Sequence, residues 1–131
     1  VVEAVDANDA LTDEEDKFTA INAYYTPDAD GLPSISVGYE FGDIGGAAAG
    51  ADEQASFMVG LTWDEVGPGS AGVALGHSNT NENADELYQY EAYYEYPVND
   101  GMTITPLVYT LDAAGDVDDT TGMMVKTTFT F

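Results

Sequence analysis

Arginine is absent from this sequence of 131 residues, and lysine occurs only as Lys17 and Lys126, against 25 aspartates and glutamates. The formal net charge of −23 repels phosphate backbones and anionic headgroups, which excludes nucleic acid as a partner and makes cations the natural small partners, divalent ions among them. Cysteine is also absent, so there is no disulfide framework, no thiolate metal site and no cysteine nucleophile. His77 has no second histidine with which to complete a metal or catalytic site, and is expected at a strand rim. No apolar run approaches the roughly 20 residues of a membrane-spanning helix, so a helical membrane protein is excluded. Nothing resembles a signal peptide, and an opening at Val1 reads as a processed product or a piece of a longer protein. Signatures of catalysis are missing too. There is no strand–turn–helix nucleophile elbow and no glycine-rich phosphate loop with lysine, and carboxylates are too abundant to single out a glycosidase pair. The chain is not expected to be an enzyme.

What the sequence does have is nine tyrosines and five phenylalanines, too many for a disordered acidic chain. They lie in short blocks with Val, Ile, Leu and Met, while the acids gather mostly between the blocks. Reading for period two predicts seven strands, at about 18–26, 33–42, 55–64, 70–77, 88–97, 102–110 and 122–131. Each is about the length of a tilted membrane strand. Val1–Val5 reads as the end of another. In the second segment Ile35, Val37, Tyr39 and Phe41 alternate with Ser34, Ser36, Gly38 and Glu40. In the third, Phe57, Val59, Leu61 and Trp63 alternate with Ser56, Met58, Gly60 and Thr62. The fifth sets Tyr88, Tyr90, Ala92, Tyr94 and Tyr96 against Gln89, Glu91, Tyr93 and Glu95. The last sets Met123, Val125, Thr127, Phe129 and Phe131 against Met124, Lys126, Thr128 and Thr130. The first segment also admits a short helix, because Thr12-Asp13-Glu14-Glu15 looks like a capping box and Phe18, Ile21 and Tyr25 have helical spacing. Pro106 cannot donate to a ladder and predicts a bulge or local edge in the sixth.

Compact turns rich in proline and glycine follow the first, third and fifth segments, and long polar connections follow the second, fourth and sixth. Strict alternation of this kind belongs to transmembrane barrels, whose periplasmic turns are tight and whose extracellular loops are long. A Greek-key sandwich has no reason to keep it. The expected fold is therefore all-β: about 7–8 meandering antiparallel strands of an up-and-down transmembrane barrel, with residues 1–131 as its C-terminal portion. Tyr39, Phe41, Phe57, Trp63, Tyr88, Tyr90, Tyr94, Tyr96, Phe129 and Phe131 lie toward strand ends. There they suit the aromatic girdles of a membrane protein; the other reading is that they fill a soluble β core. Glu40, Asp64, Glu91, Glu95 and Lys126 fall on the opposite, presumed lumen face, where acidic rings favour cations, or else at wet rims without influence. Asp28-Ala-Asp30-Gly31 and Asp116-Val-Asp118-Asp119 look like calcium-loop starts but lack the glutamate at the twelfth position. They read as solvated loops, with weak divalent binding at Asp116, Asp118 and Asp119 as the only cofactor expectation.

The closing GMMVKTTFTF resembles the C-terminal assembly signal of bacterial outer-membrane proteins. The blocks KFTAINAYYTPD, PSISVGYEFGD, SFMVGLTWDEVGPGSAGVALGH, YEAYYEYP and DGMTITPLVYT resemble the C-terminal barrel region of cyanobacterial outer-membrane porins of the carbohydrate-selective porin family, from about Lys17 to Phe131. The resemblance implies a water-filled barrel in the bacterial outer membrane, in contact with its lipid, passing inorganic ions and small solutes. Such proteins commonly carry an N-terminal surface-layer-homology domain, which this sequence lacks. About eight strands close into a filled barrel, whereas aqueous channels need roughly 16–18. The partners expected are thus further strands of the same barrel, or further copies of the chain in a homo-oligomer. A second possibility is an extracellular structural protein or fragment that polymerises through its sheet edges into a fibre, and a third is a soluble β-sandwich binding module.

Overall fold

The computed structural model describes residues 4–5, 11–12, 15–47, 51–81 and 84–131. Among them there is no helix. Strands β1 (Ala4–Val5) and β2 (Leu11–Thr12) pair with each other. The rest is one open seven-stranded antiparallel sheet in chain order: β3 (Lys17–Tyr25), β4 (Ser34–Asp43), β5 (Glu53–Val66), β6 (Gly69–Asn81), β7 (Tyr88–Asn99), β8 (Met102–Leu111) and β9 (Thr120–Phe129). Each expected segment is one of these strands, and every strand pairs with its neighbour in sequence, as an up-and-down meander requires. Val1 to Glu3, Asp13 and Glu14 lie outside the described residues. The helical alternative around Phe18 is overturned: Lys17 to Tyr25 pairs residue for residue with Asp43 to Ile35, and the strand puts Phe18 on the face opposite to Ile21 and Tyr25.

Register assigns the faces, because directly opposed residues share one side of the pleat. One side carries Ile21, Ile35, Val37, Tyr39, Phe41, Phe57, Val59, Leu61, Val73, Leu75, Tyr90, Val108, Met123 and Val125. The other carries Asn22, Ser34, Ser36, Gly38, Glu40, Ser56, Gly60, Gly72, Gln89, Glu91 and Lys126, together with Phe18, Met58, Tyr93, Leu107, Tyr109 and Met124. No hydrophobic side chain is buried among the described residues; the buried residues are Gly72 and two polar ones, Ser34 and Thr105. On β4 the small and polar positions are covered while the apolar ones are exposed: Ser34 is 4% exposed, Ile35 37% and Val37 41%. The sheet therefore curls toward its small-residue side and turns its apolar side outward. Its accessible surface of 9352 Å² compares with about 6,700 Å² for a compact protein of this mass, as expected of a layer without a core.

Glycine explains the curl. Gly38, Gly42, Gly60, Gly72, Gly76 and Gly122 all fall on the polar side. Three of them lie under an aromatic ring of the residue directly opposite: Gly42 under Phe18, Gly72 under Tyr93 and Gly122 under Tyr109. A Cβ at any of these three would collide with that ring. The rings thus lie flat along the neighbouring strand rather than standing into the space above the sheet.

Two connections at one end are two-residue hairpins, Gly67-Pro68 and Asp100-Gly101. Gly67 has φ +63°, and a positive φ followed by proline's fixed φ matches a type II′ turn. Tyr94 donates its hydroxyl proton to the Val66 carbonyl at 2.7 Å and ties this hairpin to β7. At the opposite end the connections are 44–52, 82–87 and 112–119. Strict alternation of short with long fails at 26–33, which lies at the hairpin end but is as long as 112–119. There the turn needs room for Pro27, a tight bend at Gly31 (φ +79°) and Pro33. Pro106 also departs from expectation. It pairs with Val125 in unbroken register inside an interior strand. The β7–β8 ladder instead skips Pro106 and Thr105 between the Tyr93–Leu107 and Tyr96–Ile104 pairs, and the irregularity of that hairpin sits at Pro97–Asn99.

The ring-over-glycine contacts give a stability test. Gly72→Val is expected to destabilise the folded chain by about 1–3 kcal/mol through overpacking, measured by denaturant titration, and Tyr93→Ala in the same chain is expected to recover part of that loss. Gly60→Ala, whose Cβ meets nothing closer than 3.7 Å, is expected to stay within about 0.5 kcal/mol.

Candidate functional site

Strand alternation and register place Glu40, Glu91, Glu95 and Lys126 on the polar side. Asp64, next to Trp63 on β5, takes the same side by alternation. The strands do not gather these residues at one point. Glu40 stands between Ala20 and Ser56 toward the long-loop end, and Glu91 between Ala74 and Tyr109 near mid-sheet. Glu95 and Lys126, by contrast, belong to one row near the hairpin end. That row crosses five adjacent strands through Asp64, Ser70, Glu95, Thr105 and Lys126, with Ser70 opposite Glu95 and Thr105 opposite Lys126.

Within the row, Ser70 donates its hydroxyl proton to Glu95 Oε2 at 3.3 Å. Thr105 is 5% exposed, and its Oγ1 is buried without a hydrogen-bond partner between the acidic and the basic neighbour. Asp64, Ser70 and Glu95 also line one depression with Thr103 and Thr128. The chemistry assembled is a set of carboxylate and hydroxyl oxygens beside a single ammonium. It can attract and order cations electrostatically, but it offers no activated nucleophile.

The aromatic residues separate into two levels on the other side. Tyr39, Phe57, His77 and Tyr88 form one transverse row toward the long loops, with Phe41 and Tyr90 adjoining. Trp63, Tyr94, Tyr96 and Phe129 lie toward the hairpins, and Phe131 extends beyond β9, fully exposed. Between the levels stand Val37, Ile35, Val59, Leu61, Val73, Leu75, Ala92 and Val108. Phe57 to Trp63 spans about 20 Å of strand and Tyr88 to Tyr96 about 27 Å, at roughly 3.4 Å per residue. Charged residues on this side, Lys17, Asp43 and Glu53, are confined to the long-loop rim.

His77 is not at the end of its strand, which runs on to Asn81. It packs edge-on to Phe57 at 4.8 Å and to Tyr88 at 5.9 Å, and its Nδ1 lies 3.0 Å from the Ser78 carbonyl. Asp116, Asp118 and Asp119 are exposed in the 112–119 loop, where Asp119 accepts from the Ala113 amide at 3.1 Å. Among the described residues no three Asp, Glu or His side chains converge as metal ligands.

Sequence reasoning missed Thr105 and Ser70, and it missed the rings of Phe18 and Tyr109 on the polar side, although the alternation of the fifth segment did set Tyr93 there. Alternation alone assigns each of them a face. What was lacking was the register, which depends on where the hairpins bend. The row yields a test at Thr105. Thr105→Val swaps an unpartnered buried hydroxyl for a methyl and is expected to leave stability unchanged or raise it by about 1 kcal/mol in denaturant titration; a loss above 1 kcal/mol would show that the hydroxyl has a partner. No family model, curated protein or solved structure was found to match the chain.

Proposed function

We propose that the chain is the C-terminal part of an outer-membrane β-barrel porin that passes inorganic ions and small solutes and prefers cations. The observation that carries this reading is the inverted sheet: the continuous apolar and aromatic surface faces outward and is uncharged except at one rim, glycine, small and charged residues face inward with a minority of rings and apolar chains (Phe18, Met58, Tyr93, Leu107, Tyr109 and Met124), and among the described residues no hydrophobic side chain is buried. Water penalises such an arrangement and a bilayer rewards it, since lipid covers the apolar side while the polar side faces an aqueous lumen. Strands of 9–14 residues reach across the hydrocarbon at the usual tilt, and the two aromatic levels suit the two interfaces.

Strand parity narrows the partners. Six antiparallel steps separate β3 from β9, so the two free edges run in the same direction. Closing β9 onto β3, or onto β3 of a copy inserted in the same orientation, would make a parallel pair. An all-antiparallel barrel needs an odd number of further strands, which favours other segments of the same barrel over identical copies. The same free edges support a second reading, an extracellular fibre built by strand addition, because unpaired ladders recruit other chains. The two readings separate in the test tube. A barrel piece is expected to need detergent or lipid, whereas a fibre sediments from plain buffer and gives a repeat near 4.8 Å in fibre diffraction.

For the completed barrel in planar bilayers, reversal potentials are expected to favour cations. Glu95→Gln is expected to lower that preference and Lys126→Gln to raise it, each by a few-fold, as for roughly 1 kcal/mol of ion–charge interaction. A wild-type barrel that favours anions would sink the proposal.

A further inference from the structure

The long-loop rim of the apolar side holds a feature that passive diffusion does not use. A cleft of about 860 Å³ is walled by the rings of Tyr39, Phe57 and Tyr88, and the carboxylates of Asp43, Glu53 and Glu86 stand around it. No lysine or arginine lines it. The rings are mutually packed: Phe57 and Tyr88 lie 6.2 Å apart, both against His77, and Tyr39 lies 5.8 Å from Phe41. Tyr88 donates its hydroxyl proton to Glu86 Oε2 at 2.8 Å, which fixes that carboxylate at the edge of the cleft. Asp43 and Glu53 face each other directly across the β4–β5 ladder, and Lys17 stands opposite Asp43 on β3, so with Glu86 this rim sets three carboxylates against one ammonium.

From this geometry we infer that the cleft binds the ammonium group of an organic amine. Aromatic faces attract a cation through their quadrupole, most effectively one that is large and weakly hydrated, and the carboxylates supply long-range attraction. A bare metal ion fits less well, since no three carboxylate or imidazole ligands converge among the described residues. An anion is repelled. The volume matches that of small-molecule sites. The site lies on the side opposite the acidic row and does not depend on conduction.

The test titrates the detergent-solubilised chain with choline and, separately, with its uncharged isostere 3,3-dimethylbutan-1-ol, following the ring resonances of His77, Phe57 and Tyr88 by NMR. Choline is expected to shift them and to bind about tenfold more tightly than the neutral isostere. Added sodium chloride is expected to weaken it. Phe57→Leu and the pair Asp43→Asn with Glu53→Gln are each expected to weaken choline about five- to tenfold, and unchanged strand signals in circular dichroism would show that these variants fold. Equal response to the isostere or to a neutral hexose, or shifts confined to other residues, overturns the inference. A second arm identifies the source. Contacts from lipid N-methyl protons to Tyr39 and Phe57 in choline-lipid nanodiscs mark a headgroup site. Binding of free choline without those contacts marks a site for a soluble amine, and failure of both arms overturns the inference.

Discussion

A sheet one layer thick has no interior, so the medium on each side decides whether its side chains are tolerable. That constraint governs everything else in this chain. Backbone ladders run along both edges of every internal strand, broken only locally, yet among the described residues no hydrophobic side chain is buried. Hydrophobic burial, the dominant favourable term in ordinary folding, has to come from whatever contacts the outer side. Exposed contiguous apolar surface of this kind marks a membrane or protein contact. The curl, the glycine column and the confinement of charge all follow from having an apolar exterior rather than an apolar core.

The polar side solves a packing problem of its own. A curled sheet crowds the side chains on its inner surface, and glycine at Gly42, Gly72 and Gly122 gives Phe18, Tyr93 and Tyr109 a place to lie flat. The rings shield backbone that glycine leaves bare, and they keep the space above the sheet open. Such pairing also disposes of aromatic residues that would otherwise have to face outward. Tyr93 interrupts an otherwise hydrophilic series of Gln89, Glu91 and Glu95 on β7, and its partner glycine explains why it can stay there.

Strand number and identity were legible because alternation with period two is strong in Ile35 to Phe41, Phe57 to Trp63 and Tyr88 to Tyr96, and because proline and glycine mark the hairpins. Strand length was less legible: β5, β6 and β7 run two or more residues past the segments read from pattern alone, since backbone pairing continues into polar sequence where hydrophobicity gives no signal. The helical spacing at Phe18, Ile21 and Tyr25 kept a helix open beside the expected strand because a strand with aromatic residues on both faces produces the same intervals. Pro106 misled because losing one donor interrupts a ladder locally without forcing an extra residue into the strand. The transverse row from Asp64 to Lys126 was invisible. Its members lie far apart in sequence, and only the summed register of four strand pairs brings them into line.

Charge distribution ties the two sides together. Acidic residues occupy the loops, the long-loop rim and the inner surface, while the outer side between its aromatic levels has none. Inside, Lys126 is the only basic residue on the polar face among the described strands, and it stands in the same row as Glu95, with the buried Thr105 hydroxyl between. Two opposite charges on one row create a field along the wall rather than a uniformly negative surface. In the proposed barrel, a permeating cation would be drawn to Glu95 and Asp64 and pushed from Lys126, so this row discriminates by charge more sharply than Glu40 or Glu91, which have no such neighbour. A wall built only of carboxylates would hold cations; an ammonium beside them lets them leave, and conduction requires both.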